Sequence, residues 1–191
     1  RRQRQMCIRD SAETEPKVKA IGEIGIDYYY DDSAPRESQL NCFQNQILIA
    51  KELDLPIIVH DRQSKGDTLK VLKDMNVTKG VIHCFSGSAE TAKILINMGF
   101  MISFTGVITF KNAKRAIEAL KVIPIERLMI ETDSPYMAPE PFRGRRNDSR
   151  YVKYVAEKMA EVKGIELEQL CEITYQNGLK FFNITKEENI Q

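Results

Sequence analysis

From Val18 onward, short apolar runs alternate with stretches whose apolar residues recur at helical spacing. The run VKAIGEIGID (18–27) is apolar and ends in polar residues, which predicts a buried strand. ESQLNCFQNQILIAKEL (37–53) puts Leu40, Phe43, Ile47 and Ala50 on one helical face, and Asp54-Leu55-Pro56 ends it. IIVH (57–60) predicts the next strand and SKGDTLKVLKDM (64–75) a helix through Leu69, Leu72 and Met75. GVIHCF (80–85) is a strand. SAETAKILINMG (88–99) is a helix with Ser88 as N-cap and Gly99 as stop. FMISF (100–104), NAKRAIEALKVI (112–123) and RLMIETD (127–133) predict strand, helix and strand. A loop with Pro135, Pro139 and Pro141 follows, then helices over about 149–162 and 166–182.

Five strands alternating with helices, with no hairpin signal, predict an α/β protein with a parallel sheet and right-handed crossovers. The strands lack clean polar alternation, as expected when both faces are covered. An open doubly wound sheet and part of a barrel both fit. Gly22-x-x-Gly25 lies inside a strand and matches neither a dinucleotide fingerprint nor a phosphate loop, which disfavours nucleotide-cofactor binding.

Length sharpens this. The 191 residues suit one domain but fall short of the roughly 250 typical of a complete eight-stranded barrel. Residues 1–17 show no period and little apolar content, and are expected to be a disordered or non-native segment. Their arginines Arg1, Arg2, Arg4 and Arg9 read alternatively as an arm touching phosphates. The net charge of +1 rests on that segment, because beyond residue 9 acids outnumber bases; a protein that coats nucleic acid through overall charge is excluded. Cys7, Cys42, Cys84 and Cys171 are scattered without zinc-ribbon spacing and suggest a reducing compartment. No apolar run has membrane-span length and no secretory leader is visible, so a cytosolic or nuclear protein without a membrane partner is expected.

The chemistry gathers at strand ends. The chain has two histidines: His60 ends IIVH, and His83 lies near the end of GVIHCF. Glu23 sits in the first strand and Asp133 ends RLMIETD, with Glu131 two residues before it and so pointing the same way. In parallel α/β folds the carboxyl edge of the sheet hosts chemistry, and imidazoles with carboxylates are ligands for zinc, manganese or magnesium-like ions. Each residue also has an ordinary use: a hydrogen-bonded histidine, Glu23 paired with Arg62 or a lysine, Asp133 capping the Ser134-Pro135 turn. Together they point to a metal centre. Arg143, Arg145 and Arg146 around Gly144 match phosphate oxygens, or form a solvated charged loop. Ser86-Gly87-Ser88 opens a helix and could hold an anion or simply cap it.

GEIGIDYYYD (22–31), the helix with Gln39, Phe43 and Gln46, LPIIVHDR (55–62), IHCFSGS (82–88), ETDSPYMAPEPFRGRRN (131–147) and a last helix with Asn177 and Phe181-Phe182 resemble the TatD-like deoxyribonucleases among the metal-dependent hydrolases. The resemblance covers about Val18 to Asn183. It implies a (β/α)8 TIM-barrel-like fold with up to two divalent ions, Mg2+, Mn2+ or Zn2+. It implies Glu23 as a bridging ligand, His60 and His83 as ligands of one metal, and Asp133 as ligand of the other and water-orienting base. Glu131 would assist catalysis, and Arg143, Arg145 and Ser86 would hold substrate. The implied activity is hydrolysis of DNA phosphodiester bonds, often exonucleolytic, by what is expected to be a monomer. The family opens with a strand carrying an H-x-H pair, which this sequence does not show. The expectation is therefore an N-terminally truncated barrel over 18–191. The alternatives are a catalytically impaired isoform or fragment, or a hydrolase of amides or esters.

Overall fold

The structure, a computed structural model, describes residues 2–185, with side chains from Met6 onward. Residue 1 of the segment 1–17, residues 186–191 of the expected barrel domain and the side chains of Arg2 and Arg4 lie outside this description. The chain divides after Ile82 into two compact units.

The first unit opens with helix α1 (Arg2–Thr14), where the sequence reading expects disorder or a non-native segment. The stretch has no Pro or Gly and is rich in good helix formers, but carries no apolar stripe, which is why periodicity does not find it. Arg9 pairs with Glu52 of helix α2 (Arg36–Glu52). Strands β1 (Ile21–Asp27), β2 (Ile57–Arg62) and β3 (Gly80–Ile82) run parallel in the order β1-β2-β3, and helix α3 (Asp67–Asp74) connects β2 to β3. Ile24, Ile26, Ile57 and Val59 of the strands are buried, with Phe43, Ile47 and Leu72 from the helical faces that the apolar spacing marks. Gly25 lies opposite His60 with φ of +149°, and a Cβ there would stand 1.9 Å from the His60 carbonyl oxygen. Only glycine lets β1 approach β2 so closely.

The second unit holds strands β4 (Met101–Phe104) and β5 (Leu128–Ile130), also parallel, with Phe104 opposite Ile130. Helices α4 (Ala89–Asn97), α5 (Lys114–Val122), α6 (Val152–Lys163) and α7 (Leu167–Phe181) surround a core that includes Phe85, Phe100, Phe104, Leu120, Leu128, Met159 and Leu170. Ser88 caps α4 by accepting from the Thr91 N–H at 3.2 Å. Asn177 of α7 donates to the carbonyls of Ile125 (2.9 Å) and Leu128 (2.8 Å), pinning the helix to the start of β5. Among the described residues no helix is long and apolar enough to cross a membrane.

Two strands end earlier than the apolar runs predict. β3 stops at Ile82, and Cys84 turns to a φ of +46° with its N–H on a side chain. β5 stops at Ile130; the Glu131 N–H makes one more rung to the Phe104 carbonyl, and Asp133 already has a φ of +55°. The strand-period argument for Glu131 and Asp133 sharing a direction therefore does not apply. Both lie in the turn beyond the strand.

Candidate metal centre

In the first unit the β1–β2 register sets the geometry. His60 lies opposite Gly25, so Glu23 and Asp27, two residues to either side on β1, flank its ring. His60 Nδ1 is 2.7 Å from Glu23 Oε1, and Nε2 is 3.1 Å from Asp27 Oδ2. Glu23 is not the buried carboxylate its apolar neighbours suggest: the register shifts between Ile21 and Ile24, and its side chain is 48% exposed. Nor does Arg62 take it, since that guanidinium lies over Tyr29.

Asp27 was not among the residues singled out by sequence. Its signals were the two-residue period from Glu23 and the Gln39 that follows twelve residues on. Gln39 accepts from the Asp27 N–H and donates to the Asp27 carbonyl, both at 2.9 Å, so α2 fixes the backbone that carries the carboxylate.

In the second unit His83 Nδ1 is 2.7 Å from Glu131 Oε2, while Glu131 Oε1 accepts from the Cys84 N–H at 2.7 Å. Burial pushes the Glu131 carboxyl up. The His83 hydrogen bond and charge, the Cys84 N–H and the Ser103 hydroxyl outweigh it, and the group sits below its ordinary value. With both oxygens engaged, Glu131 is built to position His83.

Asp133 lies in a loop that is held rather than floating. Buried Asn147 donates to the carbonyls of Thr132 (2.7 Å) and Tyr136 (2.6 Å), bracketing Asp133 from both sides. In the sequence Asn147 is marked only as the end of the family-like run ETDSPYMAPEPFRGRRN, with no role given to it. Farther along the loop, Gly106 permits contact with the Met137 carbonyl, which a Cβ would meet at 2.0 Å. The Glu140 N–H donates to Thr109 Oγ1 at 2.8 Å. Arg143 is exposed and stacks 4.3 Å from the Phe110 ring centre; Arg145 and Ser86 are exposed. The base of the loop is thus pinned to its surroundings, while its arginines are exposed.

The two histidines share one construction. Asp27 meets Nε2 of His60, whose Nδ1 also meets Glu23, and Glu131 meets Nδ1 of His83. Metal-bound histidines are oriented in this way, the carboxylate fixing the tautomer and raising the basicity of the other nitrogen. On that pattern Nδ1 of His60, beside Glu23, and Nε2 of His83 are the atoms that could hold a metal. The donor set of neutral imidazoles and carboxylates suits a divalent first-row ion or magnesium.

Carboxylate-held histidines at the ends of parallel strands, His60 within β2 and His83 just past β3, are the kind of donors a divalent ion takes. The chain belongs to the TatD related DNase family, whose model matches residues 3–183. It is 49% identical over 170 residues to the Bacillus subtilis (strain 168) metal-dependent hydrolase YabD, covering 88% of this chain and 66% of that protein. It is 44% identical over 172 residues to YcfH of Escherichia coli (strain K12), also named a metal-dependent hydrolase, covering 89% and 64%. The chain thus spans just under two thirds of the length of these curated relatives. The solved structure of YJJV, a TatD homolog from Escherichia coli K12, matches with a TM-score of 0.88 at 29% identity, over 95% of this chain and 70% of that one. A TatD family hydrolase from Entamoeba histolytica matches with a TM-score of 0.81 at 27% identity, over 92% and 66%. The fold is accordingly the TIM-barrel-like α/β fold of the TatD proteins.

Proposed function

We propose that this chain carries out divalent-metal-dependent hydrolysis of phosphodiester bonds in DNA, working from strand ends, with Glu23, His60, His83 and Asp133 as ligands for Mg2+, Mn2+ or Zn2+. The observation that carries the reading is the pair of carboxylate-held histidines, 3.1 Å from Asp27 in one case and 2.7 Å from Glu131 in the other. A purely structural histidine does not need an anionic partner on a chosen ring nitrogen. The exposed Arg143 and Arg145 on the loop that carries Asp133 favour an anionic substrate over an amide or neutral ester.

When bound, the divalent ion lowers the pKa of water and neutralises phosphate charge. Asp27 and Glu131 hold the two imidazoles in the tautomers that present Nδ1 and Nε2. Asp133, held in its turn by Asn147, takes the proton of the attacking water. Arg143 and Arg145 grip the non-bridging phosphate oxygens through their guanidinium forks.

The test is cleavage of end-labelled single-stranded DNA by the purified chain with Mn2+ or Mg2+, beside Asp133→Asn and His83→Ala. Loss of a positioned base predicts a fall of about 10²–10⁴-fold in Asp133→Asn. Equal cleavage by all three proteins overturns the proposal, as does hydrolysis of a simple carboxylic ester by a chain that leaves DNA intact.

A further inference from the structure

Two tyrosines and an arginine stand beside His60 without a part in holding a metal. Tyr29 and Tyr30 are 49% and 55% exposed and adjacent, and their rings meet edge to face with centres 4.9 Å apart. The Arg62 guanidinium lies on the Tyr29 ring, 3.6 Å from its centre, and 5.1 Å from that of Tyr30. Arg62 Nη1 also donates to the Tyr30 hydroxyl at 3.1 Å. The result is a small exposed platform of two π-faces with one fixed positive charge.

The platform is tied to the candidate metal centre through one side chain. Asp27 Oδ1 accepts from the Tyr29 N–H at 2.8 Å, while Asp27 Oδ2 meets His60 Nε2 at 3.1 Å. The Tyr28 N–H donates to the Arg62 carbonyl at 3.0 Å, extending the β1–β2 ladder by one rung and setting the arginine beside the tyrosine turn. The carboxylate that orients the histidine therefore also sets where the tyrosines stand. An ordinary surface cluster has no such link. Exposed aromatic faces with a planar cation are the recurrent means by which proteins hold unpaired bases. Stacking tolerates any base and is worth about 1–3 kcal/mol for each.

Resting on the reading of this site as one for DNA, we propose that Tyr29, Tyr30 and Arg62 form a stacking subsite for a nucleobase of single-stranded DNA next to the phosphate under attack. A base in a duplex has both faces covered by its neighbours, so the subsite selects unpaired ends. Arg62 keeps Tyr29 in place and offers its remaining N–H donors to the backbone of the same nucleotide.

The sequence contains no tryptophan, which makes a direct probe available. In a Tyr29→Trp variant the indole emission is expected to be quenched saturably by an oligothymidylate of about twelve nucleotides, within the ~4–16 that single-strand binders cover. An abasic oligomer of the same length and charge is expected to leave it unchanged. By fluorescence anisotropy with Mg2+ present, a Tyr29→Leu/Tyr30→Leu variant should bind the oligothymidylate at least about fivefold more weakly than wild type, the lower end for one lost stack. On the abasic oligomer the two proteins should agree within about twofold. Equal losses on both oligomers, or no loss and no quenching, overturn the subsite while leaving the DNA reading intact. Failure of the wild-type chain to bind either oligomer overturns the DNA reading, and the subsite falls with it.

Discussion

Asn147 offers a sharp check on the logic of the Asp133 loop. Its side chain is 4% exposed and makes three hydrogen bonds: to the carbonyls of Thr132 at 2.7 Å and Tyr136 at 2.6 Å, and from the Asp148 N–H at 2.8 Å. Each is worth about 0.5–1.5 kcal/mol net, and truncation leaves its partner wanting in a site short of water. Asn147→Ala should therefore cost about 3 kcal/mol. A chain of this size loses about 2–4 °C of melting temperature per kcal/mol, so a fall of roughly 6–12 °C is expected by calorimetry at neutral pH. Asn147→Asp distinguishes hydrogen bonding from mere packing. It keeps the volume and the acceptor for the Asp148 N–H, but turns an anionic oxygen on two carbonyl oxygens where an amide donated. It should be at least as damaging as alanine, and its deficit should shrink under acid, when the carboxyl regains a proton to donate. An Asn147→Asp protein that melts with wild type at neutral pH refutes the argument, because then the two carbonyls do not depend on the amide.

Removing the carboxylate behind a histidine should loosen the metal: Asp27→Asn and Glu131→Gln are each expected to weaken Mn2+ or Zn2+ binding by about 10–100-fold in calorimetric titration, and unchanged affinity would show that neither orients a ligand. Tyr28 titrates late. Burial, then the hydrogen bond to Asp67 and that carboxylate's charge, push its hydroxyl up to about 12 from 10. A raised folded value means that its contribution is whole below pH 10 and lost as pH climbs from 10 to 12. Urea midpoints should fall more between pH 9 and 11 for wild type than for Tyr28→Phe; parallel falls would contradict the shift. Finally, Gly25→Ala puts a methyl 1.9 Å from the His60 carbonyl oxygen, so a loss of at least about 2 kcal/mol is expected in denaturant titration, against near-neutrality if β1 and β2 can part without cost.

Much of the architecture was written in the periodicities. Strands β1, β2 and β4, the helices from α2 to α5 and the Ser88 cap lie where apolar spacing and capping chemistry put them, because tertiary burial and local propensity agree there. The disagreements fall where the backbone leaves regular structure for chemistry. GVIHCF and RLMIETD read as unbroken strands because Cys84, Phe85 and Thr132 have strand-compatible side chains. Yet Cys84 and Asp133 take positive φ, where the Cys84 N–H donates to Glu131 and Asn147 donates to the Thr132 and Tyr136 carbonyls on either side of Asp133, partners far off in the sequence. Helix α1 was missed for the opposite reason, having propensity without a stripe.

Within the site, the residue types at the strand ends were legible one by one, and their division of labour was not. Sequence can propose Glu23, His60, His83 and Asp133 as ligands because imidazole and carboxylate at a carboxyl edge carry that chemistry wherever they occur. It cannot rank Asp27 or Asn147, since nothing in an aspartate that ends a strand or an asparagine that ends an arginine run distinguishes a support from a surface residue. Register makes the difference for Asp27. Gly25 lets β2 come close enough for the His60 ring to sit between two β1 carboxylates, and the outer one is shared between the imidazole and the Tyr29 turn. A glycine without a side chain thus sets the distance between a histidine and the group that orients it, and Asp27 ties the same ring to the turn that carries the exposed tyrosines.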